Sequence, residues 1–546
     1  MRFTKILCLI LCFLMVIGMF VSCKKSDEVT QTETDAQSET EAGTKNNTDE
    51  KNDEDTTDTT VEDEVPSDSI AITSIEDIVD LNAKYHLTAD IGSAEAPNGC
   101  TVKGKFKGVL DGCGFTVYTN VPLFDELNGV ISLTDDGANV PSEVKNLTIA
   151  GNIIDYEGTV LGAVANTAKG PTKLTNITNN ATLTLMAWDG SDVTTKGSRD
   201  MIHVGGLIGV ANMGATFENC KNNGEILIDG AKGIRGLGGI VGYVELDVYT
   251  LTNCENTAKL SSTDQEKADV FYAGGIIGQA KCLSLTIENC QNSGEITTSK
   301  ETYENSNRVG GILGCSFEID SRESNYTIKN CFNSGNIKSQ GLGGGIAAAI
   351  RGNATISDCK NTGNITITIT DTSKKVNFLY GAGILADIRT DHKENNVYVD
   401  KSVSIQRCSN GGNITVSQAS ESYAGGIIGA NFLSVSITDC ANYGTLDAKT
   451  AVGGIIARIK NPVASMTLTV TNALSLGTLT GTKADAFYGV NQATTGCTVT
   501  FTKCYAVGVN SLTEDALKGD TAKTTLEGFD FENVWQANAN SYPTLK

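Results

Sequence analysis

From about residue 144 onward the hydrophobic positions of this chain return in a fixed order that is neither helical nor a simple alternation. Aligned on a small or apolar slot, the copies fall at Leu147, Ile177, Cys220, Cys254, Cys290, Cys331, Cys359, Cys408, Cys440, Ala473 and Cys504, about 36 residues apart on average. A period of this length marks a solenoid. Three residues before the slot stands an apolar residue in every copy: Val144, Leu174, Phe217, Leu251, Ile287, Ile328, Ile356, Ile405, Ile437, Val470 and Phe501. Four residues after it comes Gly in nine of the eleven copies, with Ala181 and Ala258 as the exceptions. Upstream of most copies lies a second apolar element, as in Gly205-Gly206-Leu207-Ile208-Gly209 and Gly274-Gly275-Ile276-Ile277-Gly278. Each copy thus offers three short β-rich runs separated by Gly/Asn turns, and no run is long or periodic enough for a helix.

Short strands returning in the same order are satisfied by a coil whose turns stack in parallel at about 4.7–4.9 Å, each supplying hydrogen-bond partners to the next. Alike side chains then lie over alike. The Asn two after the slot recurs as Asn222, Asn256, Asn292, Asn333, Asn361, Asn410 and Asn442, which predicts an amide ladder. At the ends, Ser74-Ile75-Glu76-Asp77-Ile78-Val79 predicts a short amphipathic capping helix, with an N-cap Ser and acids in its first turn. The segment from Phe529 to Trp535, followed by Tyr542-Pro543-Thr544-Leu545-Lys546, is expected to close the far end, where open strand edges invite aggregation.

The combination of Gly-Gly-x-x-Gly with Asn-Cys-x-Asn-x-Gly, as in Asn289-Cys290-Gln291-Asn292-Ser293-Gly294, resembles the GLUG repeat of bacterial surface and adhesin-like proteins. The resemblance covers roughly residues 144–510. It implies an all-β chain forming a right-handed parallel β-helix of about eleven or more turns, and it implies no defined chemistry. Some immunoglobulin-cleaving metallopeptidases carry such repeats beside a zinc domain with His-Glu-x-x-His. The only histidines here, His86, His203 and His392, are followed by Leu87, Val204 and Lys393, so that motif is absent.

Composition then places the coil. Arg2 and Lys5 precede an apolar run from Ile6 to Val21 that ends at Phe20-Val21-Ser22-Cys23, which reads as a lipoprotein signal peptide over 1–23 with Cys23 as the lipidated residue. Residues 24–69 are acidic, Thr/Ser/Asn-rich and almost without large apolar side chains, so they are expected to be a disordered linker. A coil of that length reaches about 35–40 Å, enough to hold a body off a membrane. The remainder divides into 70–143 (cap and first turns), 144–510 (repeats) and 511–546 (closing segment). The net charge of −22 and the lack of a basic stripe argue against nucleic acid as a partner.

Candidate chemistry is sparse. The slot cysteines are read as free, buried small hydrophobes, because the same slot accepts Leu147, Ile177 and Ala473; disulfides between neighbouring turns are the alternative that a spacing of about 5 Å allows. One thiol per turn does not set four ligands around zinc, so no metal and no cofactor is expected. Asp358, Arg407 and Asp439, one residue before the slot on three consecutive turns, are the sharpest catalytic candidates, two carboxylates about a guanidinium. Opposite charges one turn apart are also what an ordinary solvated ion ladder shows, and that reading is preferred. Inserts at 186–203, 297–309 and 366–380 all follow the strand after the slot. With Trp188, Tyr272, Tyr303, Tyr380 and Tyr423 they suggest one flank whose aromatic faces could stack on sugar rings. The expected function is a non-enzymatic, monomeric, surface-displayed binding or adhesion module, anchored in the membrane by lipid and directed at a glycan or a cell-surface protein. A polysaccharide lyase or hydrolase, and a passive envelope lipoprotein, are the alternatives.

Overall fold

The computed structural model describes residues 68–132, 138–156, 158–186, 201–229, 234–263, 270–298, 307–319, 322–369, 378–394, 397–417, 421–460 and 465–546. The chain divides into Met1–Asp63 and Glu64–Lys546, and only the second unit contains described residues. Cys23 and nearly all of the 24–69 linker therefore lie outside them.

The chain winds into a parallel β-helix. The apolar row anticipated three residues before the slot is one continuous in-register ladder, from Tyr85 and Leu110 through Val144, Leu174, Phe217, Leu251, Ile287, Ile328, Ile356, Ile405, Ile437 and Val470 to Phe501. Levels at Ile70–Ile72, Lys84–Leu87 and Val109–Asp111 precede the eleven repeats. Almost every member of the row is buried. Because the side-chain period in a strand is two, a slip of one residue would turn the whole row to solvent, so the pattern fixes the register.

Each turn has more pieces than the three runs read from sequence. In the turn around Cys290 they are Val270–Gly274, Ile277–Glu288, the two-residue strand Gln291–Asn292, and Ile296–Thr298. The first of these belongs to a separate ten-stranded parallel sheet. Asn289, in the left-handed region at φ 55°, bends the chain between the second and third pieces. Asn tolerates that conformation better than other side chains.

Two motifs of each repeat prove to be one contact. Inside the coil, Asn179, Asn222, Asn256, Asn292, Asn333, Asn361, Asn410 and Asn442 stand one above another, each donating its Nδ2 to the Oδ1 of the next at 2.7–2.8 Å. Each also donates to the carbonyl two residues on, as Asn292 does to Gly294 at 3.0 Å. The second glycine of the Gly-Gly bend packs against this ladder: a Cβ on Gly275 would sit 2.4 Å from Asn292 Cγ. A Cβ on Gly294 would meet the Ala258 carbonyl oxygen at 1.8 Å, which explains the glycine four after the slot. The slot cysteines from Cys220 to Cys440 are buried and free. Their thiols face backbone carbonyls, as Cys290 Sγ faces Leu251 O at 3.5 Å. Burial pushes the thiols of Cys220, Cys290, Cys359 and Cys440 well above their ordinary range, favouring the protonated form.

The ends differ from expectation. The N-terminal cap is a single 3-10 turn, Ile75–Asp77, rather than an amphipathic helix to Val79. Ser74 Oγ accepts from Glu76 N at 3.2 Å, and Asp77 Oδ2 accepts from Ser74 N at 2.9 Å. Ile75 and Ile78, three apart, fall on one side of so tight a turn and are buried over the first level, while Val79 is exposed. The closing segment does not cover the coil's far opening. It lies along the flank.

The inner ladder should matter far more than its outer counterpart. Asn292→Ala leaves the Gly294 carbonyl, Asn256 Nδ2 and Asn333 Oδ1 short of a partner. At about 1–3 kcal/mol for each buried unsatisfied group, denaturant melts should show a loss of roughly 3 kcal/mol or more. Asn289→Ala on the solvent-facing bend should cost about 1 kcal/mol, the strain of a left-handed alanine, and Asn289→Gly close to nothing.

Candidate functional site

The residue before the slot is left-handed on every repeat: Asn146, Asn176, Asn219, Asn253, Asn289, Asn330, Asp358, Arg407, Asp439, Asn472 and Lys503, with φ between 48° and 57°. This is a corner of the coil, and its asparagines form a second, outer ladder. Asn176 Nδ2 donates to Asn146 Oδ1 at 2.8 Å, and the pattern repeats from Asn219 to Asn176, Asn253 to Asn219 and Asn330 to Asn289. Asp358 and Arg407 continue the ladder with charge: Arg407 donates Nε and Nη2 to the two Asp358 oxygens at 2.6 and 2.8 Å. That bidentate pairing holds the Asp358 carboxyl below its usual 3.8.

Asp439 is engaged elsewhere. Its Oδ1 accepts from Asn472 Nδ2 and from the Trp535 indole Nε1, both at 3.1 Å. The three candidates therefore share a row but not a site. Asp358 is committed to a guanidinium and Asp439 to the chain's last segment. A cavity of about 530 Å³ lies against that segment, lined by Phe332, Asp358, Lys360, Arg407, Tyr443 and Leu545; Asp439 does not reach it.

The segment that binds Asp439 packs as a clip. A short helix, Thr521–Thr525, leads into an antiparallel hairpin, Trp535–Asn538 with Ser541–Leu545. Trp535 is fully buried in a cluster with Leu517, Leu526, Phe529 and the coil residues Ala441 and Leu474. Tyr443 donates its hydroxyl to the Pro543 carbonyl at 2.6 Å. The two-residue strands of the coil turn apolar under the clip, Ala441-Asn442 then Leu474-Ser475, where earlier turns have Lys221, Glu255 and Gln291. That change of character was the sequence sign of a covered flank.

The aromatic flank is a stacked interior layer, not an open platform. Tyr272, Tyr380 and Tyr423 occupy one register row with His203, Arg308 and Leu342. All three tyrosines are buried, and burial pushes the phenols of Tyr272 and Tyr423 up to about 12. Trp188 and Tyr303 lie outside the described residues. The physical reason is the Gly-Gly bend, which folds the outer faces of two neighbouring strands onto each other. A Cβ on Gly278 would lie 2.5 Å from the Leu237 backbone nitrogen, so nothing wider than a row of side chains fits between the faces.

Charged groups fill the remaining space of that layer. Arg458 donates to Tyr380 Oη at 2.8 Å and to Glu421 at 3.2 Å, while its guanidinium lies 4.8 Å from the Tyr423 ring centre. Asp387, with no exposed surface, takes both Arg389 Nε and Nη2 at 2.7 Å. Arg308 lies 5.3 Å from the Tyr272 ring centre, and Arg351 pairs with Asp391. Glu318 ties the insert after Arg389 back to the coil, accepting from Thr390 Oγ1 at 2.8 Å and Asp391 N at 3.0 Å and pairing with Lys401 at 3.3 Å. Groups engaged with one another in this way specify a packing rather than offer an open site, although Arg308 Nε, Arg351 Nε and both ring nitrogens of His203 are buried without a hydrogen-bond partner.

Length varies at two corners: one, between Leu385–Arg389 and Ser402–Gln406, holds the insert tied down by Glu318, and the other is where the aromatic flank was expected. The strand pairs Thr182–Met186 and Met201–Gly205, Ile296–Thr298 and Asn307–Gly310, and Ile365–Thr368 and Leu379–Ala382 bound connections of 187–200, 299–306 and 369–378. The inserts read as 186–203, 297–309 and 366–380 thus shrink to these ranges, because their outer residues are ladder strands. The equivalent connections at 340–341 and 449–450 are minimal.

No family model and no curated protein matches this chain. Among solved structures it is similar to that of "a putative immunoglobulin A1 protease from Bacteroides ovatus", at 16% identity and a TM-score of 0.31, over 76% of this chain and 93% of that one.

The clip and the ion pair should respond differently to mutation. Asp358 and Arg407 are each about one-third exposed (side chains 32% and 39%), and exchanging both for Ala should cost about 0–1 kcal/mol. Trp535→Ala removes a fully buried indole, worth about 3–5 kcal/mol, and should release the clip while the coil stays folded. Limited trypsinolysis checks this: cleavage at Lys518 and Lys523 should become fast in Trp535→Ala alone. Equal resistance in both chains would show that the flank contact is not what holds the segment.

Proposed function

We propose that this chain is a non-enzymatic binding module of the GLUG-repeat type, held at a bacterial surface by a lipid on Cys23 and directed at a glycan or a cell-surface protein. The observation that carries this reading is the placement of variable length. A scaffold locked by an inner amide ladder from Asn179 to Asn442 admits insertions only at its corners: the connections 187–200, 299–306 and 369–378 all leave one corner, directly before the same sheet, and 390–401 leaves another. Loops held at a common edge by a rigid frame are how such scaffolds vary recognition without disturbing the core. Attachment is assigned to Cys23 because Arg2 and Lys5 precede an apolar run, Ile6 to Val21, that ends beside it.

The test pairs binding with loop removal. The full chain, applied to a glycan array and to intact host and bacterial cells, should bind, and deletion of 187–200 should weaken that binding at least tenfold with an unchanged melt, since no ladder strand is removed. The Asp358/Arg407/Asp439→Ala chain should bind as wild type does. In the producing cell, a fatty-acid analogue should label the wild-type chain and not Cys23→Ala. Depolymerisation of a polysaccharide by wild type, lost in the triple variant, would replace the binding assignment with an enzymatic one.

A further inference from the structure

The two openings of the coil are not equivalent. At the first level Ile72, Ile75 and Tyr85 are buried beneath the 3-10 turn. At the last level the same interior rows come into view. Ile456 is wholly buried and its successor Tyr488 is 38% exposed; Ile455, Leu446, Leu468 and Val470 are buried, whereas Phe487, Leu479, Val499 and Phe501 above them are only partly so. The clip turns back along the flank to Asp439 and Tyr443, so it leaves this opening uncovered.

The strands around the opening are also unpaired on one side. Thr498 N donates to the Met466 carbonyl and the Thr502 carbonyl accepts from Asn472 N, so both groups point toward the preceding level. Backbone groups alternate along a strand, so the N–H and C=O of Val499 and Phe501 point out of the open end. Natural edges are usually blunted by lysine, proline or a covering element. Tyr488–Gln492 and Thr498–Thr502 contain no charge and no proline.

We propose that this end is a docking face for a second copy of the chain, stacked tail to tail so that the two coils continue through a common core. Several edges lie around one exposed apolar centre, and a single partner strand could pair with only one of them. A partner of the same cross-section meets them together, and the second copy has it. The 3-10 turn covers the interior of the first level, so the exposed apolar centre of the far end has no counterpart there and the assembly closes at two. In the strand Lys483–Asp485, a two-fold axis through Ala484 sets each lysine against the other copy's aspartate, so the charges on that edge are self-complementary. On this proposal the chain is a two-fold dimer, in place of the monomer expected from sequence.

Sedimentation of the full chain tests this against a chain carrying Thr498→Lys, Thr500→Lys and Thr502→Lys. These side chains are exposed, so the substitutions add charge beside the edge and spare the interior. Wild type should sediment as a dimer at about 10 µM, and the lysine chain as a monomer with an unchanged melt, its association weakened at least about 100-fold. Amide exchange at Val499 and Phe501 should slow as wild-type concentration rises. A wild-type monomer at about 100 µM, equal assembly of both chains, or concentration-independent exchange at these two amides would each overturn the proposal.

Discussion

Axial register is the constraint on which everything else rests. Once a chain stacks its turns in parallel, every residue lies over its counterpart one turn away, and the side chain chosen at a position must be compatible with itself. Few polar groups satisfy that inside a core. A carboxamide does, because it carries a donor at one end and an acceptor at the other. The row from Asn179 to Asn442 uses this property in a fully buried setting, with one Nδ2 hydrogen to the next amide and one to its own turn. The Gly-Gly bend and the glycine after the asparagine follow from it, since both occupy space that a Cβ would close.

The same logic accounts for chemistry that looks suggestive when read linearly. Cysteine recurs because the slot wants a small apolar group over another, and alanine replaces it at Ala473 with no change of burial. Asp358 and Arg407 recur at a left-handed corner because opposite charges substitute for an amide pair, one turn apart. A ladder position can carry an acid or a base without being a catalytic site, and its geometry shows which: here the carboxylate is fully engaged by its neighbour.

What was legible in the sequence was whatever repeats. The apolar row, the asparagine ladder and the stacking order all follow from counting, because each is a choice made many times. What was not legible is made once. The clip depends on Trp535 meeting Asp439 nearly a hundred residues away, and only the shift to Ala441 and Leu474 hinted at a covered flank. Tyr272, Tyr380 and Tyr423 resemble exposed stacking residues in a polar chain. The acute Gly-Gly bend, which closes two outer faces on each other, is a fact of angle and not of composition. The capping helix failed for a simpler reason, since Ile75 and Ile78 are satisfied by one tight turn.

The central claim is that one row of side-chain amides lies sealed inside the coil while a second lies in water a few residues away. Selective 15N labelling of asparagine resolves the two rows by exchange of their Nδ2 protons. The amides of Asn222, Asn256, Asn292, Asn333, Asn361 and Asn410 should keep their protons far longer than those of Asn176, Asn219, Asn253 and Asn330, which exchange freely. Equal, fast exchange of both rows would contradict the buried ladder, and with it the register that organises the fold.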